Sequence, residues 1–176
     1  MVDVFVGLGS NLGDSVHTLL KAWKLLGKQQ GVELINISSP YISSPVDMTS
    51  DNWFTNAVGQ LATDHSASRL LDLLLETEQI LGRVRSPLQQ GYQDRVVDLD
   101  LLYYGTEIHG DPKLTVPHPH LYERLFVLEP LMSIAPAFID PDKNESILAL
   151  YQQLAERIEN KIVENQQIKK SDWNDV

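Results

Sequence analysis

Asp98 and Asp100 stand two residues apart in the β-prone run Val96-Val97-Asp98-Leu99-Asp100-Leu101-Leu102. Alternate residues of a strand face the same side, so both carboxylates would project together while Leu99 and Leu101 enter a core. Carboxylates side by side repel unless a cation lies between them. Mg²⁺ favours one or two carboxylates, with substrate phosphates completing its shell. Arg83, Arg85 and Arg95 precede the pair in one segment, and their planar donor forks match phosphate oxygens. Two acids on the solvent face of a strand are common. With three arginines beside them they read as a metal-and-arginine site for a polyphosphate.

Other motifs carry weaker signals. Gly7-Leu8-Gly9-Ser10-Asn11-Leu12-Gly13 resembles a dinucleotide-binding turn but fails its spacing, because position 12 is Leu and the third glycine comes one residue late. No Gly-Lys-Ser/Thr follows it, so it is not a P-loop either. It reads equally as a tight strand-to-helix turn capped by Asn11 or Asp14, and it leaves the Gly9 backbone free to approach a ligand. The failed glycine spacing disfavours a Rossmann-type oxidoreductase. Asn56 lies in the apolar run Phe54-Thr55-Asn56-Ala57-Val58. A buried amide needs partners, either the edge of a heterocycle or a backbone group across a sheet. His118 and His120, in a proline-rich turn without a third ligand nearby, make a poor zinc site. One is read as touching a phosphate or ribose, the other as facing solvent.

These side chains need a scaffold. Strands are predicted over 2–8, 32–38, 54–61 and 96–104, and amphipathic helices over 15–30, with Gly31 as C-cap, and 67–81. The order β-α-β-β-α-β is that of a ferredoxin-like α+β sheet. Residues 40–52 and 82–94 read as long loops, a length that usually signals function in a compact domain. Residues 118–134 are predicted helical in two parts, broken at Pro130. Ile147, Leu150, Tyr151, Leu154, Ile158 and Ile162 form a helical stripe over 145–165, which either packs on the domain or self-associates. Residues 169–176 read as a frayed, disordered tail.

The 176-residue chain carries a net charge of −10, which argues against general nucleic-acid binding through phosphate neutralisation. Against that sign, residues 82–95 hold three arginines and one acid. The absence of cysteine excludes disulfides and thiolate zinc sites. No leader pattern or membrane-spanning run is visible, so the expected setting is the cytoplasm, with no membrane partner.

The stretches GLGSNLGD (7–14), SSPYISSPV (38–46), FTNAV (54–58), ETEQILGRVR (76–85), RVVDLDLLYYG (95–105) and LTVPHPHLYERLFVLEPLMSIAP (114–136) resemble, in order, the 6-hydroxymethyl-7,8-dihydropterin pyrophosphokinase family. The resemblance implies a ferredoxin-like domain over 1–140, followed by a helical extension over 141–168. It implies transfer of diphosphate from ATP to the hydroxymethyl group of the pterin, with release of AMP, in folate biosynthesis. By the same resemblance Asp98 and Asp100 would hold two Mg²⁺ ions. Arg83 and Arg95 would close over the triphosphate with help from Arg85. Glu78, Leu101, Leu114, Thr115, His118 and Arg124 would serve the nucleotide. Asn56, Phe54 and Phe126 would hold the pterin, with Gly9, Ser43 and Val46 completing its pocket. A monomer, or a weak homodimer through the C-terminal helix, is expected.

Three features depart from the family pattern. Tyr92-Gln93-Asp94 precedes Arg95 where an aromatic and Gly-Pro or Ala-Pro are frequent, the arginine loop is slightly longer, and Asp47 stands where Gly is common. They raise the alternative of a non-catalytic or altered-specificity pterin- and nucleotide-binding paralogue.

Overall fold

The computed structural model describes residues 1–46, 50–84 and 93–174. Its centre is a strand with two different faces. In β1 (Val2–Ser10) Val4, Val6 and Leu8 are buried on one side and Phe5 on the other. β1 pairs antiparallel with β4 (Phe54–Thr63) and with β5 (Asp98–Tyr104). β2 (Val32–Ile37) and β3 (Tyr41–Ser43) pair with opposite ends of β4, and β8 (Ile168–Lys170) pairs with β3. The six-stranded antiparallel sheet thus runs β5-β1-β4-β3-β8, with β2 off this path on the other end of β4. A small hairpin of β6 (His109–Asp111) and β7 (Leu114–Val116) stands apart.

Helices cover both faces. α1 (Ser15–Leu26) and α2 (Ala67–Ile80) bury Leu19, Trp23, Leu26, Leu70 and Leu74 against Val4, Val6, Leu99 and Leu101. α3 (Leu125–Ile134) and α4 (Ile147–Glu159) bury Leu128, Leu131, Ile147, Leu150 and Leu154 against Phe5, Leu102 and Tyr103. The helix N-termini follow their local chemistry: Asp14, Ser66 and Ser146 each accept a hydrogen bond from the backbone three residues on. Asp14, not Asn11, therefore caps the first helix.

A bulge in β5 adjusts the second core. Val6 lies opposite Leu101 and Phe5 opposite Tyr103, so Leu102 is an extra residue. Leu102 and Tyr103 consequently enter the same cluster. Upstream of the bulge the strict alternation puts Leu99 and Leu101 into the first core and leaves Asp98 and Asp100 on the opposite face.

Several expectations are corrected. The stretch 40–52 contains β3, because backbone pairing with β4 and β8 holds Tyr41–Ser43 extended amid Pro and Ser. The first helix ends at Leu26 rather than Gln30. Pro130 does not break a helix but lies inside α3, where the burial of Leu128, Pro130 and Leu131 outweighs the lost hydrogen bond. The division falls instead at Arg124, between a 3₁₀ turn (Leu121–Glu123) and α3.

The tail beyond 169 is not frayed where it is described. Lys169 and Lys170 pair with β3, and Trp173 donates from Nε1 to the Ser38 carbonyl at 3.0 Å. The stripe on α4 packs within the chain through Ile147, Leu150 and Leu154.

Candidate active site

Where β1 runs between Asn56 on β4 and the carboxylates on β5, its inward positions are Gly7 and Gly9. Gly9 sits opposite both Asn56 and Asp98, and Gly7 opposite Asp100. A Cβ on Gly9 would lie 3.3 Å from Asn56 Oδ1, and one on Gly7 would lie 3.4 Å from the Leu102 side chain. Glycine thus supplies a flat floor between an amide and two carboxylates. Above it opens a cleft of about 590 Å³, its open mouth included.

One wall comes from β3 and the following segment, with Ser43, Ser44 and Val46. Phe54 stands at the start of β4. The other wall comes from Arg124, Phe126 and Val127 at the start of α3. Each aromatic wall carries a cation: the Arg95 guanidinium lies 5.7 Å from the Phe54 ring centre, and the Arg124 guanidinium 5.7 Å from that of Phe126. Asn56 is buried and donates from Nδ2 to Ser43 Oγ at 2.9 Å.

The electrostatics centre on Asp98. Arg83 donates to its Oδ1 and Arg95 to its Oδ2. Arg83 also donates to Glu78 Oε1 at 2.6 Å, and that oxygen accepts the Leu99 amide at 2.8 Å. Burial lowers the pKa of Arg83, but the charges of Asp98 and Glu78 outweigh it and the net shift is upward. Glu78 is 1% exposed. It acts on the cleft through Arg83 and through the position of β5, rather than as part of the lining.

Asp100 is different. Its surroundings push its pKa up to about 7, first by burial and next by the charge of Asp98, against the opposing pull of Arg124 and Arg95. His118 Nε2 lies 3.9 Å from Asp100 Oδ1. Burial, followed by Arg124, pushes the His118 pKa down to about 4, so its ring is neutral near pH 7. Among the described residues no group of three or more His, Cys, Asp or Glu side chains could hold a metal ion. A carboxylate pair in which one member bears a cost for its charge still fits a hard divalent cation whose other ligands are phosphates and water.

Arg83, Arg95, Asp98, Asp100, Arg124, Gly9, Ser43, Val46, Phe54, Asn56 and Phe126 are thus gathered in or beside the cleft, with His118 next to Asp100. The side chains of Leu101, Leu114 and Thr115 are not. Leu101 enters the first core, Leu114 packs at its edge, and Thr115 donates from Oγ1 to the Asp111 carbonyl at 3.0 Å. Arg85, Tyr92 and Asp47 lie outside the described residues. Sequence reasoning missed the place of Asn11, which accepts the Arg95 amide at Oδ1 (2.7 Å) and donates its own amide to the Arg95 carbonyl (3.1 Å). His120 is exposed, in keeping with one of the two histidines facing solvent.

A model of the 7,8-dihydro-6-hydroxymethylpterin-pyrophosphokinase (HPPK) family matches residues 5–136. A 2-amino-4-hydroxy-6-hydroxymethyldihydropteridine pyrophosphokinase of Haemophilus influenzae is 35% identical over 156 residues, covering 89% of this chain and 95% of that protein. A Bacillus subtilis protein of the same name is 37% identical over 130 residues, covering 74% of this chain and 76% of its own. Among solved structures, Plasmodium falciparum HPPK-DHPS with pterin and p-hydroxybenzoate matches with a TM-score of 0.72 at 15% identity, a likeness of fold. This chain covers 93% of its own length there and 43% of that chain, so it spans less than half of the solved protein.

Proposed function

The chain belongs to the 7,8-dihydro-6-hydroxymethylpterin-pyrophosphokinase family, an enzyme family, and from that premise we propose that it transfers diphosphate from ATP to 6-hydroxymethyl-7,8-dihydropterin and releases AMP in folate biosynthesis. We read the antiparallel order of β5, β1, β4 and β2 as the ferredoxin-like arrangement. The observation that carries the functional reading is the glycine floor, which leaves an amide and a carboxylate pair facing one cleft with an arginine stacked on each aromatic wall.

In this reading the pterin lies between Phe54 and Phe126, whose faces suit a flat heterocycle. The Asn56 amide pairs with its edge, and Gly9, Ser43 and Val46 bound the pocket. The triphosphate lies along Asp98 and Asp100 with Arg83 and Arg95 over it, and the nucleoside extends towards His118 and Arg124. The pterin hydroxymethyl oxygen attacks the β-phosphorus and loses its proton to solvent. The bond from that phosphorus to the α,β-bridging oxygen breaks, and AMP departs with that oxygen.

Asp98 and Asp100 would hold the two Mg²⁺ ions. When bound, Mg²⁺ supplies charge neutralisation and orients the phosphates. The protein contributes positioning, arginine donors for the developing charge and exclusion of water. Arg83 and Arg95 would exchange part of their hold on Asp98 for phosphate oxygens. Glu78, through its bond to Arg83, would keep that guanidinium aimed at the cleft. ATP and the pterin are the small-molecule partners, and the setting we propose is cytoplasmic. Asp98→Ala tests the assignment: turnover should be nearly abolished with the circular dichroism spectrum unchanged, and wild-type turnover would contradict it.

A further inference from the structure

Asp94 occupies a place where a carboxylate next to Arg95 would be expected to draw that guanidinium away from phosphate. The structure directs its oxygens elsewhere. Oδ1 accepts from Asn11 Nδ2 at 2.6 Å and from Ser50 Oγ at 2.6 Å, and Oδ2 accepts from Asn52 Nδ2 at 2.7 Å. The Ser50 hydroxyl in turn accepts the Asn52 amide at 3.0 Å. Meanwhile Arg95 directs Nε to the Gln93 carbonyl and Nη1 to Asp98. Three stretches of chain meet at this one carboxylate: the end of β1, the segment leading into Phe54, and the segment carrying Arg95.

Each partner has a consequence for the cleft. Asn11 is 6% exposed and holds the Arg95 backbone at both its amide and its carbonyl. Asn52 stands two residues before Phe54, whose ring lies under the Arg95 guanidinium. Asp94 thereby ties the aromatic wall to the arginine that faces the carboxylates. A hydrogen-bonded carboxylate takes the place of a rigid turn. Its pKa is lowered, first by the Ser50 hydroxyl against the opposing effect of burial, then by the Asn11 and Asn52 amides and least by the Arg95 charge, so it stays an acceptor at neutral pH.

We propose that Asp94 is a positioning residue, a clasp that aligns Arg95 with Phe54 and so joins the phosphate side of the cleft to the ring side. The proposal rests on the pyrophosphokinase reading for its effect on turnover, but not for its effect on structure. The clasp explains how this chain tolerates an acid beside a phosphate-holding arginine: the Asp94 oxygens take hydrogen bonds from neutral donors on two other segments, and Arg95 Nη1 is left directed at Asp98.

The test uses the full chain and two readouts. Amide hydrogen exchange followed by NMR, without ligands, should be at least fivefold faster at Arg95 and at residues 50–53 in Asp94→Ala than in wild type. The Leu99 and Val58 amides should keep their protection. Steady-state turnover should fall about tenfold or more in kcat. Asp94→Asn, which keeps one acceptor oxygen, should restore most of both signals. Adding Asn52→Ala to Asp94→Ala should cost little more, because both act through one contact. Unchanged exchange at Arg95 and 50–53 overturns the clasp whatever the turnover. Independent, multiplying effects of Asp94→Ala and Asn52→Ala on exchange overturn it too. A wild type without pterin-dependent AMP formation refutes the functional reading instead, and the exchange data still decide the clasp.

Discussion

Replacing Asp100 by asparagine is expected to stabilise the metal-free protein at pH 8 while destroying its activity. The Asp100 carboxyl has an ordinary pKa of 3.8 and is pushed up to about 7 in the fold. Between those values the folded chain binds more protons than the unfolded one, so stability falls as pH rises through that window. The full shift would correspond to roughly 4 kcal/mol. The side chain keeps 37% of its surface open to the cleft, so solvent screening reduces the expected gain to about 1–2 kcal/mol. For a chain of this size that is about 2–8 °C in Tm.

The amide has the carboxylate's shape without its charge, so the change isolates the electrostatic cost. Thermal and urea unfolding with a chelator present, at pH 8 and at pH 5, are the assays. The gain should appear at pH 8 and shrink at pH 5, where wild-type Asp100 is itself largely neutral. Adding Mg²⁺ should stabilise the wild type more than the variant, which keeps only Asp98 of the pair. A variant equal to or less stable than wild type at pH 8 would refute the argument that the fold bears a charge cost there.

Other changes separate the parts of the site. Asn56→Ala should weaken pterin binding by about 1–3 kcal/mol and spare nucleotide binding, as separate calorimetric titrations would reveal; equal losses would count against the pocket assignment. Glu78→Ala removes the acceptor of the Leu99 amide and should cost about 1–3 kcal/mol in urea unfolding, whereas Glu78→Gln should keep most of that stability and lose turnover through Arg83. Deleting residues 166–176 removes the edge partner of β3 and Gln166, which bonds both the Leu125 amide and the Glu123 carbonyl. The same titrations should then show a larger loss for pterin than for nucleotide.

The carboxylate strand was legible because its evidence is local. Asp98-Leu99-Asp100-Leu101 alternates with period two, and the fold buries Leu99 and Leu101 while turning the acids to the cleft. The apolar stripe of α2 was equally plain, although Glu78 within it answers to Arg83 and Leu99 rather than to the cleft. Signals that depend on distant pairing were not legible. β3 and β8 are three residues each, and pairing with distant segments, β3 with β4 and β8 and β8 with β3, makes them strands. Asn11 and Asp94 meet across 83 positions, and nothing at either end announces the contact. Pro130 misled for the opposite reason: a valid local rule was overridden by burial in α3. Leu101, Leu114 and Thr115 entered by resemblance alone, and their side chains lie away from the cleft.

Nucleotide product analysis tests the central claim most directly. The protein is incubated with ATP, Mg²⁺ and 6-hydroxymethyl-7,8-dihydropterin, and AMP is separated from ADP. Pterin-dependent AMP, in equal amount to diphosphorylated pterin, is the expected result. ADP as the product would contradict diphosphate transfer in favour of transfer of a single phosphoryl group or of hydrolysis, and no AMP from a protein that binds both ligands would leave a pterin- and nucleotide-binding protein in its place.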